Sequence, residues 1–553
     1  MSKKRYVIGI DYGTLSGRTV LINADTGEEI AVAEECYAHA VMDAALPTGE
    51  RLPDHFALQH PADYLDVLRR TIPAVLARGG VEACDVVGLG IDFTACTLLP
   101  LDRDGTPLCM KAEWEREPQA FVKLWKHHAA QAEADEITAL ACARGERWID
   151  SYGGKISCEW ALPKILEVLR RAPHVFEATD RFSEAADWLS FVLTGKETHA
   201  ATFAGYKGLW QAETGYPSDE YLRELDERLV GLYGSKICAE VNTAEQIAGT
   251  LGAKGAALTG LAEGTPVALP IIDAHAAMPA VGAVKAGNFV MIVGTSACHL
   301  LHGNAPKRVE GTCGYVPNAV IPGCTTFEAG QACVGDGFSW FVNNLVPERY
   351  EKEAAERGIS IHQLLREYAS ALRPGESGLV VLDWQNGNRS ILNNAALSGM
   401  ILGLTLATRP EEIYRAYLEA SAFGSRVIVE QFEKNGLPVG DICAAGGIAQ
   451  KDPLMMQIYA DVLGKRVCVA NTKQAGAIGS AIYAAVAGGV YQTVAEAAAT
   501  LAAPCGRIYE PNEDNRAAYD ALYAEYVRLH DFFGKEHADL MPRLRELAKN
   551  AKN

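Results

Sequence analysis

Residues 7–14, VIGIDYGT, form an apolar run that ends on an acid and then turns through glycine and threonine. Such an ending can be a plain Asp-x-Gly turn. It can also do chemistry, because the N–H groups of Gly13 and Thr14 would form a concavity suited to phosphate oxygens, while Asp11 could hold the water shell of Mg2+. The device recurs in VVGLGIDFTACTLLPLDRDGTPL from Val86 and in FVMIVGTSACHLLHG from Phe289. Three copies of one local pattern point to a nucleotide-handling protein.

Phosphoryl transfer also needs a base for the attacking hydroxyl. Asp273 is the only formal charge between Glu263 and Lys285, set among Ile271, Ile272 and alanines. A carboxylate in such surroundings is partly desolvated and accepts a proton more readily. Capping of a helix that starts at Ala274 is the alternative role. His275 reads as a structural core residue. Lys207 sits among Phe203, Tyr206 and Trp210, a poor setting for a merely solvated lysine and a suitable one for a polar group that holds a small ligand in an apolar wall. Ala95 and Cys96 would let a substrate approach closely, or form a plain strand turn. Trp125 reads as core.

The elements that must position these groups are strand-rich at the start of each half and helical afterwards. Residues 5–35 read as a hairpin turning at NADTGEE, and residues 86–109 as another strand pair turning at DRDGTP. The pattern is helical from Glu113 to Leu193 and restarts as strand at Gly287. PEEIYRAYLEASAFGSRVIVEQFEKNG, from Pro410, has Ile413, Ala416, Ala420, Phe423 and Val427 on one face and Gly436 at the C′ position. The likeness of the two starts suggests a duplicated α/β unit with a boundary near residues 276–287. The motif G-x-x-x-x-G-K-S/T does not occur, and no G-x-G-x-x-G leads from strand into helix, so neither a P-loop nor a dinucleotide fingerprint is present.

Composition sets the limits. The 553 residues, 49% hydrophobic and 22% charged, are those of an ordinary globular protein. At one domain per roughly 150 residues they make two to four domains. A net charge of −18 without a basic block disfavours nucleic acid and anionic membranes as partners. Fourteen scattered cysteines without a C-x-x-C pair suggest reduced thiols rather than a disulfide framework or zinc site. The basic start MSKKRYVIGID runs straight into a strand with no apolar leader, so a cytoplasmic location is expected. Residues 264–284 are nearly uncharged, but their prolines and central Asp273 argue against a membrane span.

The Asp-x-Gly-Thr turn, its partner VGTSA, CAAGGIAQKDPLMMQIYADVLG and KQAGAIGSAIYAAVAGG together resemble the FGGY family of carbohydrate kinases over nearly the whole chain. GIDFTACTLLPLD, LWKHHAAQAEADEI, YGGKISCEWALPKIL and GTSACHLL are most like members that act on L-ribulose. Two places depart from the family pattern: WQNGNRS at Trp384 stands where many relatives have Gly-Glu-Arg, and Ala277 where glycine is common.

The resemblance implies an α/β protein of two ribonuclease H-like domains of the actin and hexokinase type, residues 1–283 and 284–553, flanking a cleft. It implies ATP and Mg2+ as donor and cofactor, with L-ribulose, or else xylulose or another ketopentose or alditol, as acceptor. A sugar-sensing binding module is the alternative class, and a homodimer is left open. Carried onto this sequence, the resemblance makes Asp273 the base and a sugar contact, joined by Ala95, Cys96, Lys207 and Glu328. Asp11, Gly13 and Thr14 form one phosphate turn and Gly294, Thr295 and Ser296 the other, with Asp11 on Mg2+ through water. Adenosine would lie on Gly446 and Gly447, while Gly476 and Gly479 would serve close helix packing.

Overall fold

A computed structural model of the chain describes residues 4–244 and 246–551, so the first three residues of the basic start lie outside it. Val7, Ile8 and Ile10 are fully buried. That is the mark of a strand covered on both faces. They belong to β1 (Tyr6–Tyr12), which forms the expected hairpin with β2 (Ser16–Asn23) and continues to β3 (Glu29–Cys36). After helix α1 (Pro61–Gly79) comes β4 (Val86–Phe93), and later α2 (Ala161–Arg171) and α3 (Ala201–Lys207). The sheet is completed by β5 (Ile247–Thr250), β6 (Pro266–Ala268) and β7 (Ile271–Ile272), in the order 3-2-1-4-6-5 with β7 also on β4.

Helix α4 (Asp273–Ala280) leads to a second sheet on the same plan. Its strands are β8 (Phe289–Val293), β9 (Ala297–Gly303), β10 (Gly314–Pro317) and β11 (Thr325–Gln331). Helix α5 (Pro410–Lys434) follows, with Gly436 in the left-handed region at φ 75° just past its end. Then come β12 (Ile442–Ala445), α6 (Gly447–Lys451), β13 (Val467–Ala470), α7 (Ala475–Ala487) and β14 (Cys505–Tyr509). The order is 10-11-9-8-12-13-14. In each sheet an antiparallel hairpin, β1–β2 or β8–β9, has its first strand parallel to a later one, β4 or β12.

The stretch from Glu113 to Leu193 is not helical throughout, since Val122–Lys123 and Arg181–Glu184 are strands of a small sheet that long-range pairing assembles. Two further expectations are corrected. Residues 86–109 are not a strand pair: β4 lies inside the first sheet, parallel to β1, whereas Leu98–Leu101 pairs with Arg181–Glu184 in a separate four-stranded sheet. The chain switches sheets at residues 94–97, where Cys96 adopts φ 57°. The DRDGTP turn itself forms, with the Asp102 N–H donating to the Thr106 carbonyl. Nor are all cysteines free, because Cys468 and Cys505 are disulfide-bonded with Cα atoms 5.9 Å apart. Pairing of β13 with β14 brings them together across 37 residues, a proximity that local spacing cannot signal. No helix among the described residues is long and apolar enough to cross a membrane.

The two halves are joined through α7, which comes from the second half but packs on β1 and β4 of the first and against α4. The approach is so close that a Cβ on Gly479 would run into the Ala276 carbonyl of α4. Gly479→Val should therefore cost about 3 kcal/mol, the upper end for overpacking, since a backbone carbonyl cannot step aside. Urea denaturation should show a lowered midpoint; an unchanged one would mean that α4 and α7 do not meet in this way.

Candidate active site

Strands β1, β4 and β7 run parallel and finish side by side. Asp11 is opposite Asp92, Tyr12 opposite Phe93, and Ile272 opposite Phe93, so Asp273 emerges directly beyond the end of β7. Ligands of open α/β sheets bind outside the carboxyl ends of such strands. Three carboxylates from three segments thus converge where a ligand would lie.

Their surroundings separate their roles. Asp92 is wholly buried; its Oδ2 accepts from Ser480 Oγ at 2.6 Å, and its Oδ1 has no hydrogen-bond partner. Burial, then the neighbouring charge of Asp11, pushes it well above the usual carboxylate range. Asp11 is raised by burial too, with its neighbour Asp92 partly opposing the shift. Two neighbouring acids of this kind resist losing both protons at once. The shift is greater for Asp92, so Asp11, which lines the cleft, is the acid that ionises first. Asp273 is partly open to the cleft, accepts the Ala274 N–H at 2.6 Å, and is pushed up to about 7 by burial and then by Asp11. The helix starts at Asp273 itself, with Ile272 at its N-cap and no side-chain cap, so Asp273 does not cap a helix beginning at Ala274; its carboxylate bonds the next N–H and lines the cleft.

A cleft of about 440 Å3 is lined by Asp11, Asp273 and Gly476 and by Gly446, Gly447 and Lys473. Gly446 has φ 100° and leads into α6. Gly476 does more than serve helix packing: a Cβ there would stand 2.9 Å from Asp92 Oδ1 and 3.1 Å from Asp11 Cγ, so its bareness leaves room beside the acids. Mg2+ fits this setting. Among the described residues no three His, Cys, Asp or Glu side chains form a cage. A buried pair of acids with an unpartnered oxygen suits an ion held largely through water and nucleotide oxygens.

The two glycine turns are partly self-satisfied. Gly13 N–H is spent on the Ser16 carbonyl and Gly294 N–H on the Ser296 carbonyl, whereas the N–H groups of Thr14 and Thr295 have no backbone partner among the described residues. The concavity rests on the threonines more than on the glycines. Thr14 is anchored, since its carbonyl accepts from Gln59 Nε2 at 2.8 Å and its hydroxyl from Trp125 Nε1 at 3.2 Å. Trp125 thus packs in the core and also ties that core to the first turn.

The remaining expected residues meet on the other side of Asp273. Lys207 Nζ, from α3, lies 2.8 Å from Glu328 Oε1 on β11, with side chains only 9% and 12% exposed. The pair joins the two halves. Burial alone would lower the Lys207 pKa, but Glu328 outweighs it and holds the ammonium above its usual range. Burial alone would raise Glu328, but Lys207 and then His275 hold it well below the carboxylate range. His275 Nε2 is 3.3 Å from Glu328 Oε2; burial lowers its pKa, so this contact is made by a neutral imidazole. Cys96 carries its left-handed backbone beside Ala95, and its carbonyl accepts from the fully buried Lys164 Nζ at 2.5 Å. Burial raises the Cys96 thiol far above its ordinary value, so it stays protonated.

Three residues escape the sequence reading. Asp92 had a signal, since GIDF at 90–93 repeats the GIDY of 9–12. Lys164 had none, because a lysine on an amphipathic helix reads as surface. Lys473 lines the cleft and is exposed, in a stretch that periodicity does not distinguish from loop.

Residues 6–280 match the N-terminal domain, and residues 289–488 the C-terminal domain, of the FGGY family of carbohydrate kinases. The chain belongs to this family. It is 48% identical to the ribulokinase of Geobacillus thermodenitrificans over 99% of its own length and 98% of that protein, and 46% identical to the ribulokinase of Mycolicibacterium smegmatis over 99% and 97%. Among solved structures, xylulose kinase from Rhodospirillum rubrum superposes with a TM-score of 0.80 at 22% identity, covering 96% of this chain and 99% of that one. Plasmodium falciparum glycerol kinase with ADP gives 0.75 at 16%, covering 95% and 98%. At these identities the structures speak for the fold alone, the actin- and hexokinase-like pair of α/β domains.

Asp11→Ala should impair catalysis and raise the Mg2+ concentration needed for half-maximal rate, because Asp11 faces the cleft. Asp25→Ala should leave that curve in place: Asp25 is exposed and loses only a surface pair with Arg5, worth at most about 1 kcal/mol. Superimposable Mg2+ titrations for the two variants would contradict the role given to Asp11.

Proposed function

We propose that the chain is an ATP-dependent kinase that phosphorylates L-ribulose at its terminal hydroxyl, giving L-ribulose 5-phosphate. The observation that carries the chemistry is the position of Asp273, between the Asp11 end of the cleft and the Lys207–Glu328 pair. A carboxylate raised to about 7 is matched to proton transfer at neutral pH. The sugar is assigned from the ribulokinases that share nearly half of the sequence.

The geometry performs the reaction in a simple order. Lys207 donates to sugar oxygens and Glu328 accepts from sugar hydroxyls, while Ala95 and Cys96 present small side chains and backbone to the substrate. Asp273 takes the proton of the attacking hydroxyl as that oxygen forms its bond to the γ-phosphorus of ATP. Thr14, Thr295 and Ser296, with Gly13 and Gly294 shaping their turns, cradle the phosphates, and Gly446 and Gly447 leave room for adenosine. Mg2+ bound with the nucleotide neutralises charge on the phosphate oxygens, and Asp11 is placed to hold its water. This assigns residues 1–283 to a sugar-binding domain and 284–553 to a nucleotide-binding one, with Glu328 the contribution of the second to the sugar. With its acidic surface the protein works on small molecules, in the cytoplasm, apart from nucleic acid and membranes.

ADP release measured with L-ribulose, D-ribulose, L-xylulose, D-xylulose, ribitol and glycerol should give the highest kcat/KM with L-ribulose; a higher value with D-xylulose or glycerol would overturn the substrate. Asp273→Asn should lower turnover by about 10²- to 10⁴-fold, the usual cost of a lost general base, with ATP and sugar dissociation constants little changed. Wild-type turnover in that folded variant would remove Asp273 from the mechanism.

A further inference from the structure

Arg389 belongs to the WQNGNRS segment, where the chain departs from the family pattern. The loop lays it along β11: its Cδ and Nη1 lie 3.4 and 3.6 Å from the point where a Cβ would stand on Gly330. The next residue fixes that placement, since Ser390 Oγ accepts the Gly330 N–H at 3.2 Å and lies 3.7 Å from Cys313 Sγ. Gly330 is two positions beyond Glu328 on the same strand, and alternate residues of a strand share a face. Cys298, the cross-strand neighbour of Gly330, lies there as well. The charge of Arg389 accordingly acts on Glu159, Cys313, Cys298 and Glu328.

The side chain has charged neighbours and no bond to any of them. It is half-buried, yet makes no hydrogen bond or ion pair among the described residues. Its acidic neighbours are committed elsewhere, Glu328 to Lys207 at 2.8 Å and Glu159 to His128 at 3.1 Å. A guanidinium offers five donors in a fixed fork, and leaving them unmet away from bulk water is costly. Without a ligand this wall of the site has surplus donors. Sugar oxygens are acceptors of the kind it lacks.

From this geometry we infer that Arg389 is a substrate-binding residue, donating hydrogen bonds to oxygens of the bound sugar beside Lys207 and Glu328. The inference rests on the sugar-kinase function proposed above. Tyr206 and Trp160 pack about the Lys207 ammonium, at 6.0 and 5.9 Å from it to the ring centroids, so that cation is held in place. Arg389 supplies a second cation from the other half of the chain. A sugar lying between them would be gripped by both halves at once.

Calorimetric binding of L-ribulose without nucleotide, and separately of MgATP, to full-length wild type, Arg389→Gln and Arg389→Lys tests this. Loss of charge-assisted bonds should raise the ribulose dissociation constant by about 10- to 100-fold in Arg389→Gln. Arg389→Lys should lose less, keeping the charge without the fork. The MgATP constant should stay within about twofold of wild type, and melting temperatures measured alongside should show both variants folded. Ribulose affinity unchanged in both variants, or a loss confined to MgATP, would overturn the assignment of Arg389. Wild-type protein that binds no ribulose would overturn the sugar assignment itself, and this role with it.

Discussion

The arrangement depends on a repulsion. Asp11, Asp92 and Asp273 finish three adjacent parallel strands, so one register brings three acids together. Like charges a few ångströms apart in a partly dry site cannot all ionise. The fold answers with a different environment for each. Asp92 is sealed under α7 with Ser480 as donor and is raised furthest, Asp11 faces the cleft and ionises more readily, and Asp273 stands at the rim, poised near neutrality. The helix that seals the acids belongs to the second half of the chain, so the electrostatics of the site and the contact between the halves are one structure.

The sugar side balances charge by pairing instead. Lys207 and Glu328 are both nearly buried, and each holds the other in its charged form against the cost of burial. A buried pair of this kind adds little net stability, because desolvation offsets attraction. What it supplies is placement. Around it, second-rank contacts fix the rest: Lys164 pins the Cys96 carbonyl, and Glu184 accepts the Thr97 N–H at 2.9 Å. The peptide that joins Cys96 to Thr97 is thereby held through both its carbonyl and its N–H.

Much of this was legible in the residues, for physical reasons. β1 and its turn, the restart at β8 and the buried face of α5 are local patterns, and Asp273 stood out because no other charge lies near it in sequence. The reading failed where partners are distant. An apolar run followed by a turn looks the same whether its neighbour is the next strand or one far along the chain, so residues 86–109 read as one strand pair turning at DRDGTP, whereas Val86–Phe93 pairs with β1 and Leu98–Leu101 with Arg181–Glu184. The Cys468–Cys505 bond is hidden for the same reason. Asp92 shows in the sequence as a repeat of Asp11. Arg389 and Lys164 show in the sequence only as ordinary cations; their surroundings come from loops and helices packed across the molecule.

The central claim is that Asp273 is a partly buried carboxylate that must lose its proton before catalysis. The direct test is the pH dependence of kcat/KM for L-ribulose between about pH 5.5 and 8.5, compared for wild type and Asp273→Asn. A base raised in the folded protein is ionised only above its own pKa, so wild-type activity should climb tenfold per pH unit on the acid side and level off above about 7. The residual activity of Asp273→Asn should lack that limb. A flat wild-type profile, or the same limb in the variant, would contradict the account.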